Sequence, residues 1–417
     1  MHKTSTACRK TMKELNRLET KVDKASFWAA ALSLAATFVA SATPIPLYGT
    51  YQRVDGVSYF ELSLSSVVYF VGAVTALLIF GRLSNHLGRR PVSIMAVVLA
   101  AMASASFLHV HDAAPLLIGR LLQGLACGLA STALAAWIVD CAHTVPKWLA
   151  PAVISCGPMT GLTIGGVISG VLVEYGPIPR QLPFYLVLVL LAVCVALILR
   201  GKETMPSAPG AIGSLKPRMG LPAKAKKFFP VAAVTFVSTW ALGGFFQAFG
   251  PAMANEQLHS SNAVAAALVF ASIMAPSTVG ASIAGKMKAT TAQFYGMISF
   301  AVFVGGLLLA LQWGILVMFL IASVLAGIAQ GMVLTGSIQT MVSSLEPKER
   351  ANVLSVIYAT SYTGAAIPTL IAGRMSESYS LLQVACGYGV LALVGAVTVI
   401  LARKYQQREF QQCELNG

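Results

Sequence analysis

An all-α polytopic membrane protein, its 12 transmembrane helices arranged as two six-helix pseudo-repeats, is the fold class this sequence predicts. Three observations carry that expectation. The first is composition: of 417 residues 56% are hydrophobic and only 11% charged, with a mean hydropathy of +0.74. A water-soluble domain usually carries about 25% charged residues, so this chain could not cover a surface facing water. A soluble enzyme, a disordered chain and a nucleic-acid binder are thereby excluded, despite a net charge of +14. The second is a series of twelve apolar stretches, each about 20 residues long, enough to cross a hydrocarbon core ~30 Å thick. The third is self-similarity between the two halves of the chain.

The apolar stretches fall near 27–49, 60–80, 91–108, 114–138, 148–173, 183–199, 229–253, 263–285, 291–312, 314–340, 351–375 and 381–402. A long loop rich in Pro, Gly, Lys and Arg separates the sixth from the seventh. The chain therefore divides into an N-terminal tail (1–25), a six-helix bundle (26–199), a linker (200–228), a second bundle (229–402) and a C-terminal tail (403–417). The first 25 residues are basic and polar, without an apolar run beside a cleavage site, so no cleaved signal peptide is expected.

Lysine and arginine set the orientation. Arg82, Arg89, Arg90, Lys147, Lys286, Lys288, Lys348 and Arg350 lie in the loops on one side, against Arg53, Arg180 and Arg374 on the other. Both tails and the linker are basic as well, so the rule places them in the cytoplasm. The net positive charge is then mainly a topology signal, with attraction to anionic membrane lipid as a secondary consequence.

The internal repeat has an offset of 203 residues. It carries Leu122 to Leu325, Gly124 to Gly327, Ala126 to Ala329 and Gly128 to Gly331 in the fourth and tenth spans. It also carries Lys147 to Arg350, Gly161 to Gly364 and Gly170 to Gly373 around the fifth and eleventh. Small residues are common in membrane helices, but several matches in one register make chance a poor account. Parallel repeats of this kind are related by an axis along the membrane normal, and the cleft between them is the expected binding place.

The loop after the second span reads Gly81-Arg-Leu-Ser-Asn-His-Leu-Gly-Arg-Arg90. It resembles the signature loop of the major facilitator superfamily, G-x-L-a-D-r-x-G-r-[rk], through Gly81, Leu83, Gly88, Arg89 and Arg90. Asn85 stands where the family usually has Asp, keeping an acceptor for a helix N-terminus but losing the charge. Arg120-Leu-Leu-Gln123-Gly124 resembles the family's second motif, R-x-x-q-G. Arg120 is the only Lys or Arg well inside a predicted span, and an intramembrane charge marks a functional site by default. The resemblance implies that Arg120 and Gln123 serve proton coupling; the alternative is an arginine snorkelling to the nearer interface. Glu61, at the start of the second span, is the expected proton carrier beside it. Asp140 is the expected partner of Arg89 or Arg90, as an acidic residue there is in similar transporters.

The fifth span carries Gly157-Pro158 and then Gly161, Gly165, Gly166 and Gly170. Glycines four apart give a flat packing face. The family's antiporter motif has its Gly-Pro step inside such a run, whereas here Pro158 comes early and Gly166 occupies the proline place. Pro44 and Pro46 break the first span, and their freed carbonyls, with Tyr48, Tyr51 and a glutamine, suit a cavity lining. Trp240 and Gln247 in the seventh span and Tyr358 and Tyr362 in the eleventh are candidate substrate-cavity residues in the second half. Lipid-facing or interfacial aromatics are the alternative for those of the seventh and eleventh spans.

Seven scattered cysteines form no CxxC or Cys/His cluster, so neither a disulfide framework nor a metal is expected. His109-Val-His111-Asp112 has metal-like spacing, but in a short loop where no metal site is expected. There is no phosphate-binding P-loop, and no nucleophile-and-base pair. No catalytic residue and no cofactor are therefore expected. The leading expectation is a proton-coupled exporter of a small organic molecule, working by alternating access as a monomer in the bacterial inner membrane. An uptake permease or uniporter is the runner-up, favoured by the missing mid-membrane acid, and a non-transporting membrane sensor is the third reading.

Overall fold

The computed structural model describes residues 2–217, 219–343 and 345–415, with side chains described over 22–403 apart from 218, 344, 347, 348 and 351. The side chains of Lys348, Cys8, Cys413 and the tail charges lie outside the described ones. Twelve helices among them are long and apolar enough to cross a membrane. They are α1 (Val22–Asp55), α2 (Tyr59–Phe80), α3 (Arg89–His109), α4 (Ala113–Asp140), α5 (Leu149–Tyr175) and α6 (Leu182–Arg200). The second half follows with α7 (Phe229–Gln257), α8 (Ala263–Ala284), α9 (Ala289–Trp313), α10 (Leu316–Val342), α11 (Asn352–Met375) and α12 (Leu381–Arg403).

Short polar signals start these helices. Ser58 and Glu61 form a reciprocal capping box at α2, Asp112 caps α4 and Asn262 caps α8. Each half has its own apolar core, one around Leu34, Ala96, Ala130 and Trp137, the other around Phe245, Val269, Phe300 and Ala326. Lys202, just past α6, meets the start of α1, its amide donating to Ser26 Oγ at 2.8 Å and its Nζ lying 3.6 Å from Asp23. The linker and the chain start therefore share one end of the molecule, called here the linker side; the other is the far side.

Glycines bring the helix backbones together in a pattern that follows the repeat. A Cβ on Gly124 would collide with the Tyr69 carbonyl of α2, and one on Gly327 with the Ile273 carbonyl of α8. Gly161 and Gly165 press α5 onto the Ala35 and Val39 carbonyls of α1, and Gly364 presses α11 onto Val237 of α7. Gly170 touches Ala263 and Ala267 of α8, across the two halves, while Gly373 touches Ser63 and Phe60 of α2. The sequence repeat is thus also a repeat of contacts.

The last two contacts seal the far side. Glu174 Oε2 accepts from the Ala263 amide at 2.8 Å beside Gly170, and the Tyr59 and Phe249 rings meet across the same seam, 6.1 Å between centroids. Towards the linker side α5 leaves the core: it has no buried residue from Pro151 to Thr160, nearly three turns. A wedge in the seal should open it. Gly170→Val is expected to raise the rate at which a water-soluble maleimide labels Ala266→Cys, now buried beside the seam, several-fold in detergent. An unchanged rate would show that the seam does not depend on that close approach.

Candidate functional site

Three sites emerge: one at the linker side, one inside the first bundle and one between the halves. On the linker side is the loop between α2 and α3. Arg89, its side chain 7% exposed, donates from Nε to Asp140 Oδ2 at 2.9 Å and from Nη1 to Ser84 Oγ and Asn85 Oδ1 at 2.8 and 2.6 Å. Arg90 does not reach Asp140; its guanidinium donates to the Ile198 and Leu199 carbonyls of α6. Asn85 does not cap α3 either. The residue before that helix is Gly88, at φ +100°, and the cap comes from the linker: Glu203 accepts from the Arg89 and Arg90 amides at 2.7 and 2.9 Å. A carboxylate at a helix N-terminus meets unpaired N–H groups and the positive end of the dipole. Glu203 supplies the acid that Asn85 lacks, from 113 residues further along the chain in the case of Arg90.

Further bonds strap the linker to the first bundle. Thr204 Oγ1 donates to Asp140, Trp137 Nε1 to the Lys202 carbonyl, and Arg82 to the Ser214 and Lys216 carbonyls. Residues 202–205 and 214–216 are therefore docked on one bundle, where the sequence suggested only a connection.

Deeper in the same bundle is Arg120. It is fully buried, which excludes the snorkelling alternative. Pro44 has no N–H to give the Ala40 carbonyl four residues before it, and Gln123 Nε2 takes that acceptor at 2.7 Å. Arg120 Nη1 donates to the Ser41 carbonyl at 2.8 Å and to Gln123 Oε1 at 3.0 Å, and Nε donates to the Tyr48 hydroxyl at 2.6 Å. The guanidinium lies over the Tyr48 and Tyr69 rings, 5.3 and 5.8 Å from their centroids, a cation–π arrangement. The broken turn Ile45–Leu47 thus clasps α1 to α4. Glu61 is not among these partners: Ser58 N and Oγ hold its carboxylate at 2.8 and 2.9 Å. The expected pairing of Glu61 with Arg120 is not formed, because the capping box uses the acid.

Between the halves lies a cavity of about 100 Å³. Phe38, Tyr69, Phe70, Trp240 and Tyr362 give it aromatic walls, and Gln247 and Gln330 give it amides. Tyr362 meets Trp240 at 4.9 Å and Phe70 at 6.0 Å between ring centroids. Of the expected cavity residues, Trp240, Gln247 and Tyr362 are here. Tyr48 and Tyr51 are buried inside the first bundle instead, and Tyr358, 38% exposed, is not part of this wall. Pro46 lines a separate far-side vestibule of about 330 Å³ with Arg53, Glu174, Arg180 and Glu256. Phe38, Tyr69, Phe70 and Gln330 escaped sequence reasoning, because an aromatic in an apolar run reads equally as a lipid-facing residue. Gln330 did carry a signal, a primary amide inside a span at the repeat position of Cys127.

Two bundles of six helices with a cavity on the axis between them define a class of membrane transporter. The model of the Major Facilitator Superfamily matches residues 29–369, and the chain belongs to that family: it is a multi-pass integral membrane protein, a transporter of small molecules, and not an enzyme. No curated protein matches the sequence significantly. Among solved structures, a point mutant of the nucleoside transporter NupG matches with TM-score 0.67 and 14% identity, over 90% of this chain and 99% of that one. The xylose transporter XylE from E. coli, in a partially occluded inward open conformation, matches with TM-score 0.68 and 14% identity, over 90% and 97%. At that identity the likeness is one of fold.

Proposed function

We propose that the chain moves a small, uncharged organic molecule across the bacterial inner membrane by alternating access, as a monomer, with the aromatic cavity as its transport site. The observation that carries this reading is the cavity's position between the bundles, below a seam closed on the far side. The bundles 26–199 and 229–402 are the two rocking bodies. Lys and Arg counts assign the linker side, with both termini, to the cytoplasm, and the structure is then inward-facing. Membrane lipid surrounds the outer helices, and its anionic headgroups meet the basic linker side.

Proton-driven export is the form of transport we favour from Arg120, a buried cation one side chain behind the cavity wall through Tyr69. A second reading, uptake or uniport, is supported by a specific observation: no carboxylate is among the described partners of Arg120. The structural neighbours, a nucleoside and a xylose transporter, fit a neutral polar substrate in either direction.

Orientation is tested by thiol labelling from outside intact cells in a cysteine-free background. His111→Cys is expected to label with an impermeant reagent and Ser207→Cys to remain unlabelled, and the reverse pattern would sink the assignment. Energetics are tested in vesicles. Accumulation that follows an imposed pH gradient supports proton coupling, whereas mere equilibration of substrate supports a uniporter.

A further inference from the structure

The repeat brings Cys127 of α4 and Gln330 of α10 to equivalent places, 203 residues apart. Both reach towards the first helix of their own half. Cys127 Sγ lies 4.0 Å from the Thr37 carbonyl of α1, and Gln330 Nε2 donates to the Thr239 carbonyl of α7 at 3.4 Å. A thiol suffices for that contact in the first half, so packing α10 on α7 does not call for a primary amide. What Gln330 adds is a strong acceptor, and its Oε1 is buried with no hydrogen-bond partner among the described residues. The residue is 7% exposed and lines the cavity. An amide oxygen held in a low-dielectric wall costs free energy until a donor arrives, so the cost becomes selectivity for a molecule that brings one.

The rest of the wall limits what that molecule is. No Asp, Glu, Lys or Arg is among the described lining residues, and a full charge there would be uncompensated. Five aromatic side chains offer faces and edges to a flat apolar body. At about 100 Å³ the volume admits one ring at most, since an engineered apolar cavity of about 150 Å³ takes benzene.

We infer that Gln330 is the specificity-determining polar group of the cavity, and that the cavity takes an uncharged, planar molecule of about one ring that presents an N–H or O–H donor to Gln330 Oε1. The inference rests on the proposal that this cavity is the transport site. Phenol and anisole are suitable probes: both are neutral single rings, and only phenol carries a donor.

Binding of each to the purified full-length protein in detergent would be measured by titration calorimetry. Wild type is expected to bind phenol roughly tenfold or more tightly than anisole. Gln330→Met, similar in length but without a strong acceptor, should narrow that ratio to about twofold, mainly by weakening phenol. Equal binding by wild type, or a ratio undiminished in Gln330→Met, overturns the inference. Trp240→Ala separates its failure from failure of the site. If Trp240→Ala removes both ligands while Gln330→Met leaves the ratio intact, the cavity stands as the site and the role of Gln330 falls. If Trp240→Ala leaves both ligands bound as in wild type, or wild type binds neither, the cavity assignment and the inference fall together.

Discussion

Arg120→Ala is expected to abolish gradient-driven accumulation in reconstituted vesicles and to lower the unfolding temperature in detergent by several degrees. Truncation removes five interactions at once: the donations to Tyr48, Ser41 and Gln123, and the cation–π contacts with Tyr48 and Tyr69. Each buried group left without a partner costs about 1–3 kcal/mol, and α1 loses its clasp on α4 at the very turn that Pro44 has broken. Arg120→Lys keeps the charge but not the planar fork that reaches Tyr48 and Ser41 together, so it should recover part of the stability and little of the coupled transport. Substrate exchange without a gradient separates coupling from folding, because a folded but uncoupled protein still exchanges. Wild-type accumulation by Arg120→Ala at normal expression would make the arginine a structural post and move the reading to a facilitator.

Glu203→Ala carries the second large effect. Its carboxylate holds the Arg89 and Arg90 amides, and also those of Thr204 and Met205. Hydrogen bonds to a charged group contribute about 1.5–3 kcal/mol each, so the strap should come away from the first bundle. Cys141, fully buried beside Asp140, is a native reporter. As the sole cysteine it should react slowly with maleimide in the parent protein and about ten times faster or more in Glu203→Ala, since local opening replaces global opening as the route to exposure. Adding Asn85→Asp should restore part of the protection, because Asn85 already contacts Arg89 Nη1 and an acid there would hold the loop from within. Equal labelling with and without Glu203 would show that the other linker bonds suffice.

Hydropathy made the spans legible because each must hide its backbone from lipid by itself. The offset of 203 was legible because close helix crossings admit only small residues, and such positions repeat when the fold repeats. Arg120 and Gln123 were legible since a charge and an amide stand out in apolar sequence. Their acceptors were only half so: two prolines announce free carbonyls, but not which side chain takes them. Glu203 was hidden because nothing local distinguishes a linker glutamate that caps a helix far back in the chain. Glu61 shows the opposite error. Its Ser58-x-x-Glu61 spacing spells a capping box in the sequence, and the mechanistic expectation overrode that local chemistry. Tyr48, Tyr51 and Tyr358 were assigned to the cavity on residue type, yet which face of a span looks at the partner bundle is decided by packing between helices distant in sequence.

The far-side seam at Gly170 and Gly373 has a bearing on how fast the protein can cycle. The two contacts are symmetry mates, one on each flank of the central axis, and both set a glycine against alanine, serine or backbone atoms. Such groups have almost no rotamers to freeze on closing and little apolar area to drag out of water on opening. These two crossings fit closely while adding little depth to the free-energy well, which leaves the Tyr59–Phe249 contact and the Glu174–Ala263 hydrogen bond as the stronger parts of the seam. Leucines interlocked at the same crossings would bind the halves more strongly and hold them there, whereas under the alternating-access proposal this contact breaks once in every turnover.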